Sequence, residues 1–122
     1  MSSTTGGTVL ESLMGKRLDA VSFVLDYISF QFRDLHLAAL AKPELLRGEN
    51  LLTEGQAGYR DALCSEILQH VTGTHETAER IEITLSSGTK ISVSLNADFP
   101  PGPEMATLSG NGRFITAWLR PA

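Results

Sequence analysis

Apolar and polar residues alternate over three consecutive stretches. Val21, Phe23 and Leu25 enclose Ser22 and Val24; Ile28, Phe30 and Phe32 enclose Ser29 and Gln31; Leu35, Leu37 and Ala39 enclose His36 and Ala38. A period of two marks half-buried strands. A slip of one residue would turn every apolar side chain to the other face, so the pattern also tests register. A two-residue turn at Asp26-Tyr27 pairs Leu25 with Ile28, Phe23 with Phe30 and Val21 with Phe32. A second at Arg33-Asp34 pairs Phe32 with Leu35, Phe30 with Leu37 and Ile28 with Ala39. Both keep the apolar set on one face and predict a three-stranded antiparallel meander. Neither turn contains glycine, so the turn type stays open.

A second sheet segment follows the same rule. Ile81, Ile83 and Leu85 alternate with Glu82 and Thr84, and Ile91, Val93 and Leu95 with Ser92 and Ser94. A two-residue Ser87-Gly88 turn splits the apolar sets between faces. A three-residue loop, Ser86-Ser87-Gly88, pairs Ile83 with Ile91 and Ile81 with Val93, and puts glycine where a left-handed residue is needed. FPPGP at 99–103 breaks the sheet. Asn111-Gly112 predicts a closing hairpin over 105–119, pairing Leu108 with Ile115 and Ala106 with Ala117. The alternative is a short helix from Pro103.

Two stretches have helical spacing. Val9, Leu10, Leu13 and Met14 predict a short helix stopped by Gly15. In GYRDALCSEI and beyond, Tyr59, Ala62, Leu63, Ile67 and Val71 form the stripe of an amphipathic helix, with Arg60, Asp61, Ser65 and Gln69 largely off it. Glu66 and His70 are an i, i+4 pair on that helix. Residues 42–58, with Pro43, Gly48, Gly55 and Gly58, read as a long loop tucked down by its leucines. The order helix, Leu18, Val21, Ile28, Phe30, Phe32 recurs 53 residues later as helix, Val71, Thr74, Ile81, Ile83, Leu85. The match suggests two similar halves.

The expected architecture is therefore α+β: an antiparallel meander and hairpin sheet with one or two helices on its apolar face. A loose tail, 1–7, precedes a single domain over 8–122. With 122 residues the chain is long enough for a real core without staples. A net charge of −4 argues against non-specific nucleic-acid binding. One cysteine permits no internal disulfide, no apolar run is long enough for a membrane span, and the first residues lack a secretion-signal pattern. A cytoplasmic protein is expected.

Candidate chemistry is sparse. Cys64 lies near the apolar stripe and reads as a buried structural thiol. His36, His70 and His75 lack metal-ligand spacing, so no metal and no cofactor is expected. Glu76, Glu79, Glu82 and Glu104 read as exposed charges. Tyr59, Arg60 and Asp61 form the candidate ligand-binding set, because Arg60 follows a glycine-rich loop at a helix start. Neighbouring helical residues point apart, however, so an anchoring tyrosine beside two solvated charges also fits. The outer face of the first meander carries Val24, His36, Ala38 and Leu40 among polar residues. With Trp118 these form the candidate interface.

The segments GKRLDAVSFVLDYISFQF, GYRDALCSEILQHV and IEITLSSGTKISVSL, with Lys42-Pro43 before and Pro103-Glu104 after, resemble a group of small bacterial proteins of unknown function. The resemblance spans most of the chain and carries no activity. By analogy with small bacterial α+β proteins it implies an immunity or accessory role. The leading expectation is a non-enzymatic, cytoplasmic protein-binding or self-assembling module, with a protein partner or a second copy as occupant. The alternative is a small-ligand site, or an undetected enzyme, under the 42–58 loop.

Overall fold

The computed structural model describes residues 9–96 and 103–120. The 1–7 tail and most of the FPPGP break lie outside them. A 3-10 helix, Val9–Leu13, opens the described chain. Three strands follow: β1 Leu18–Val24, β2 Tyr27–Phe32 and β3 Leu35–Ala39. A short hairpin comes next, β4 Glu44–Arg47 and β5 Asn50–Leu52, and then the helix α1, Tyr59–Cys64. A second meander is made of β6 Val71–Glu76, β7 Arg80–Leu85 and β8 Lys90–Ser94. The hairpin of β9 Glu104–Gly110 and β10 Arg113–Leu119 completes the order.

The strands make two five-stranded antiparallel sheets, β10-β9-β3-β2-β1 (sheet I) and β5-β4-β8-β7-β6 (sheet II). The class is β-rich. Antiparallel pairing is as expected, but the apolar faces are not roofed by helices. The buried faces of both sheets join in one core, with Phe30, Phe32 and Leu37 from sheet I and Ile81, Ile83, Ile91 and Leu45 from sheet II.

Several registers follow the apolar pattern. Phe32 pairs with Leu35, Phe30 with Leu37 and Ile28 with Ala39, with Arg33 left-handed in the turn. The three-residue loop pairs Ile83 with Ile91 and Ile81 with Val93, with Gly88 at φ 93°. The first turn differs. It falls at Leu25-Asp26, pairing Phe23 with Ile28 and Val21 with Phe30. A two-residue shift in pairing keeps the side chains of the paired strand residues on their faces, but it moves Leu25 out of the apolar row into the turn, where it is 91% exposed. The last hairpin forms at Asn111-Gly112, but a bulge between Leu108 and Ser109 puts Thr116 opposite Leu108 and Trp118 opposite Ala106.

Two elements correct the sequence reading. Residues 44–52 are a hairpin rather than a loop. Leu45 is buried between Leu52 and Ile91, and Gly48 supplies the turn. The second helix ends at Cys64 instead of running to Val71. Short-range turns from Leu63 to Gln69, with Leu68 at φ 84°, swing the chain into β6. Val71 is needed there opposite Leu85.

The two halves match closely. Each runs helix, three-stranded meander, hairpin. Leu18 pairs with Phe32 and Ala20 with Gln31 across a bulge; 53 positions on, Val71 pairs with Leu85 and Gly73 with Thr84 across the same bulge. Each half also gives its hairpin to the other: β4–β5 docks on β8, and β9–β10 on β3. The helices cross over too, Val9–Leu13 packing on β6 and α1 on β1.

Candidate functional site

Three regions bear polar or exposed groups that the fold alone does not demand. The first surrounds Tyr59, Arg60 and Asp61. Gly58, at φ 85°, turns the 53–57 segment into α1. That segment is closed by Gln56, whose side-chain Oε1 accepts from the Thr53 backbone N–H at 2.6 Å. Tyr59 is buried, and its hydroxyl donates to the Pro43 carbonyl. Burial, followed by the carboxylates of Glu54 and Glu44, pushes its phenol well above the ordinary value. Tyr59 is thus the anchor that ties α1 to the start of β4.

Arg60 is exposed and lies over the Phe23 ring, 5.0 Å from its centroid. Asp61 is exposed as well. The three side chains point apart, yet they share one wall of a groove of about 580 Å³. Lys42 and Glu54, 3.7 Å apart, complete that wall. The opposite wall is the tip of the β1–β2 hairpin: Phe23, Val24, Leu25 and Ile28.

The second region was not legible in the sequence. Glu66 is 3% exposed. Arg47 Nη2 donates to its Oε2 at 2.9 Å and also to Ser65 Oγ. Thr89 Oγ1 donates to Oε2 at 3.0 Å and Ser87 Oγ to Oε1. Burial alone raises the carboxyl's pKa, but the hydrogen bonds from Ser87, Arg47 and Thr89 outweigh it and hold the group below its ordinary value. The network bolts the end of α1 to β4 and to the β7–β8 loop. It is satisfied throughout, which is the mark of a structural device. In the first half the matching positions are Leu13 and Leu35, both buried.

The third region is the outer face of sheet I. Two rows cross all five strands: Ala20, Gln31, His36, Ser109 and Phe114, then Ser22, Ser29, Ala38, Thr107 and Ala117. None of these residues is buried, and none is Asp, Glu, Lys or Arg. Val24 and Leu40 extend the face toward one end; Val24 is 42% exposed and Leu40 half-buried. Phe114, Ile115 and Leu119 on the edge strand β10 are exposed large apolar residues. Trp118 leaves the candidate interface: it faces inward opposite Ala106 and belongs to the core, because the β10 bulge resets the alternation.

The remaining candidates are dispersed. Cys64 is exposed, correcting the buried-thiol expectation, since α1 buries Tyr59, Ala62 and Leu63 instead. His36 lies on the outer face of sheet I, His70 opposite Arg17, and His75 opposite Glu82. Among the described residues no group of three His, Cys, Asp or Glu is placed to hold a metal ion. A second concavity contains Lys16, Arg17, Asp19 and Asp34, but its charges are paired, Lys16 with Asp34 at 3.0 Å and Arg17 with Asp19 at 2.7 Å. The hydrogen bond from Lys16 holds the Asp34 carboxyl below its ordinary value. No helix of the described residues is long and apolar enough to cross a membrane.

Comparison with known proteins returns no match: no family model fits the chain, and no curated protein or solved structure is significantly similar to it.

Proposed function

We propose that this chain is a non-enzymatic binding module that self-associates through the outer face of sheet I. One observation carries the reading. That face presents two full rows of uncharged residues in a protein whose residues are 20% charged. The equivalent face of sheet II shows what the same fold places against water: Lys90, Glu82, Glu44 and Arg80, with Arg80 3.8 Å from Glu44. A face made mostly of Ser, Ala, Thr and Gln, without Asp, Glu, Lys or Arg in either row, is self-complementary. Two copies meet across a two-fold axis without like charges in contact, as an isologous dimer requires. Phe114 at its rim supplies the large apolar side chain that such interfaces favour.

The proposal places the protein in a reducing cytoplasm, supported by its single cysteine. Amide shifts followed on dilution test the contact surface. Self-association through this face moves Ser29, Ala38, Thr107 and Phe114 and leaves Glu82 and Lys90 unmoved. Shifts centred on sheet II would overturn the assignment.

A further inference from the structure

The groove beside Arg60 lies at the end of the β1–β2 hairpin, and the second half contains the same hairpin as an internal control. Phe23, Val24 and Leu25 correspond, 53 positions on, to Glu76, Thr77 and Ala78 at the tip of β6–β7. The two tips share register and a two-residue turn: Val24 pairs with Tyr27, and the Thr77 N–H donates to the Arg80 carbonyl at 2.9 Å. The fold is thus built equally well with a polar tip. In the first half the tip is apolar all the same, and Leu25 is 91% exposed. Exposing a leucine to this degree serves neither the core nor solubility.

Arg60 faces this apolar tip. Its guanidinium stacks on Phe23 and makes no hydrogen bond or ion pair with the described residues, although Asp61 and Glu54 line the same groove. A stacked guanidinium is a planar donor fork held ready for an anion. The volume, about 580 Å³, is that of a small-molecule site. The lining cations Lys42 and Arg60 are balanced by Glu54 and Asp61, so a single negative charge is accommodated better than a double one.

We infer that this groove binds a small amphipathic monocarboxylate. Its carboxylate meets Arg60 and its apolar body lies along Phe23, Leu25 and Ile28. The inference is independent of self-association and gives the 42–58 region a ligand class.

Octanoate is a suitable probe, with octanol lacking the charge and acetate lacking the apolar body. Titration of the full chain, followed by amide NMR, is expected to give saturable shifts at Phe23, Leu25 and Gly58–Asp61 with octanoate. Octanol and acetate bind about tenfold more weakly, and Arg60→Gln weakens octanoate by a similar factor while leaving octanol unchanged. The double substitution Phe23→Glu/Leu25→Ala, which installs the residues of the sister tip, abolishes binding. Should that pair disturb folding, Leu25→Ala alone weakens octanoate with an unchanged melting temperature. No saturable shift at the groove with octanoate overturns the site itself. Equal binding of octanol, or indifference to Arg60→Gln, overturns the carboxylate assignment while leaving an apolar site.

Discussion

Arg17 and His70 face each other in an antiparallel bridge, and each holds the same place in its own half of the chain. The bonds around them come in matched pairs. The Gly15 N–H donates to the Val71 carbonyl at 2.9 Å, and the Leu68 N–H to the Leu18 carbonyl at 2.8 Å. The Leu18 N–H donates to Gln69 at 2.8 Å, and the Val71 N–H to Lys16 at 2.9 Å. The bridge marks a pseudo-two-fold axis. Each half then serves as a control for the other: where equivalent positions differ in character, the fold alone does not explain the difference.

Gly15 and Leu68 are such a pair, at φ 77° and 84°. A leucine in this region carries a steric cost that glycine avoids. Leu68 is also 63% exposed, so little packing opposes its removal. Leu68→Gly is expected to stabilise the protein by about 0.5–1 kcal/mol. Gly15→Ala has open space for its Cβ but keeps the positive φ, and is expected to destabilise by about 1 kcal/mol. Urea unfolding of both variants measures the two signs.

Glu66 and its counterpart Leu13 make a second pair. Glu66→Ala leaves Thr89 without its acceptor and opens a cavity, at a cost of about 2–3 kcal/mol. Glu66→Leu, the residue the first half uses, costs less because it refills the space. The pH dependence has a defined sign. The folded-state pKa lies below the ordinary glutamate value of 4.5, so the contribution is complete above pH 4.5 and is lost as pH falls through the folded value. Denaturation followed from pH 6 to pH 3 should show a shallower decline in Glu66→Gln than in the parent protein.

Tyr59 makes a third test. Tyr59→Phe removes the donor to Pro43 and is expected to cost about 1–2 kcal/mol, and Tyr59→Ala about 3–5 kcal/mol, in urea unfolding. Its folded pKa is raised above 10, so its contribution is present below pH 10 and is lost as pH rises beyond it. As pH rises above 10, stability should therefore decline less steeply in Tyr59→Phe than in the parent.

Much of the sheet was legible because period-two alternation constrains which face each strand buries. It fixed the Arg33-Asp34 turn and the Ser86-Ser87-Gly88 loop, where an error of one residue exposes isoleucines. It misplaced the first turn, which falls at Leu25-Asp26: a two-residue shift in pairing flips no strand residue and exposes Leu25 alone. The α1 stripe misled because Ile67 and Val71 extend helical spacing into a turn and a strand. The hairpin at 44–52 was hidden by its brevity and its flanking glycines. Arg60 and Asp61 proved to lie in a groove, but that groove depends on the hairpin tip some 35 residues earlier, a long-range contact that local pattern does not encode. The burial of Glu66 was not legible in sequence, since its partners come from two distant elements, Arg47 from β4 and Ser87 and Thr89 from the β7–β8 loop.

Sedimentation velocity of the parent chain and of Ala38→Lys, from about 1 to 200 µM, tests the interface most directly. Ala38 is in the centre of the uncharged face, between Ser29 and Thr107. The parent should shift from monomer to dimer across the range, and Ala38→Lys should stay monomeric with an unchanged melting temperature. A parent that is monomeric throughout, or a dimer that Ala38→Lys leaves intact, would contradict self-association through this face.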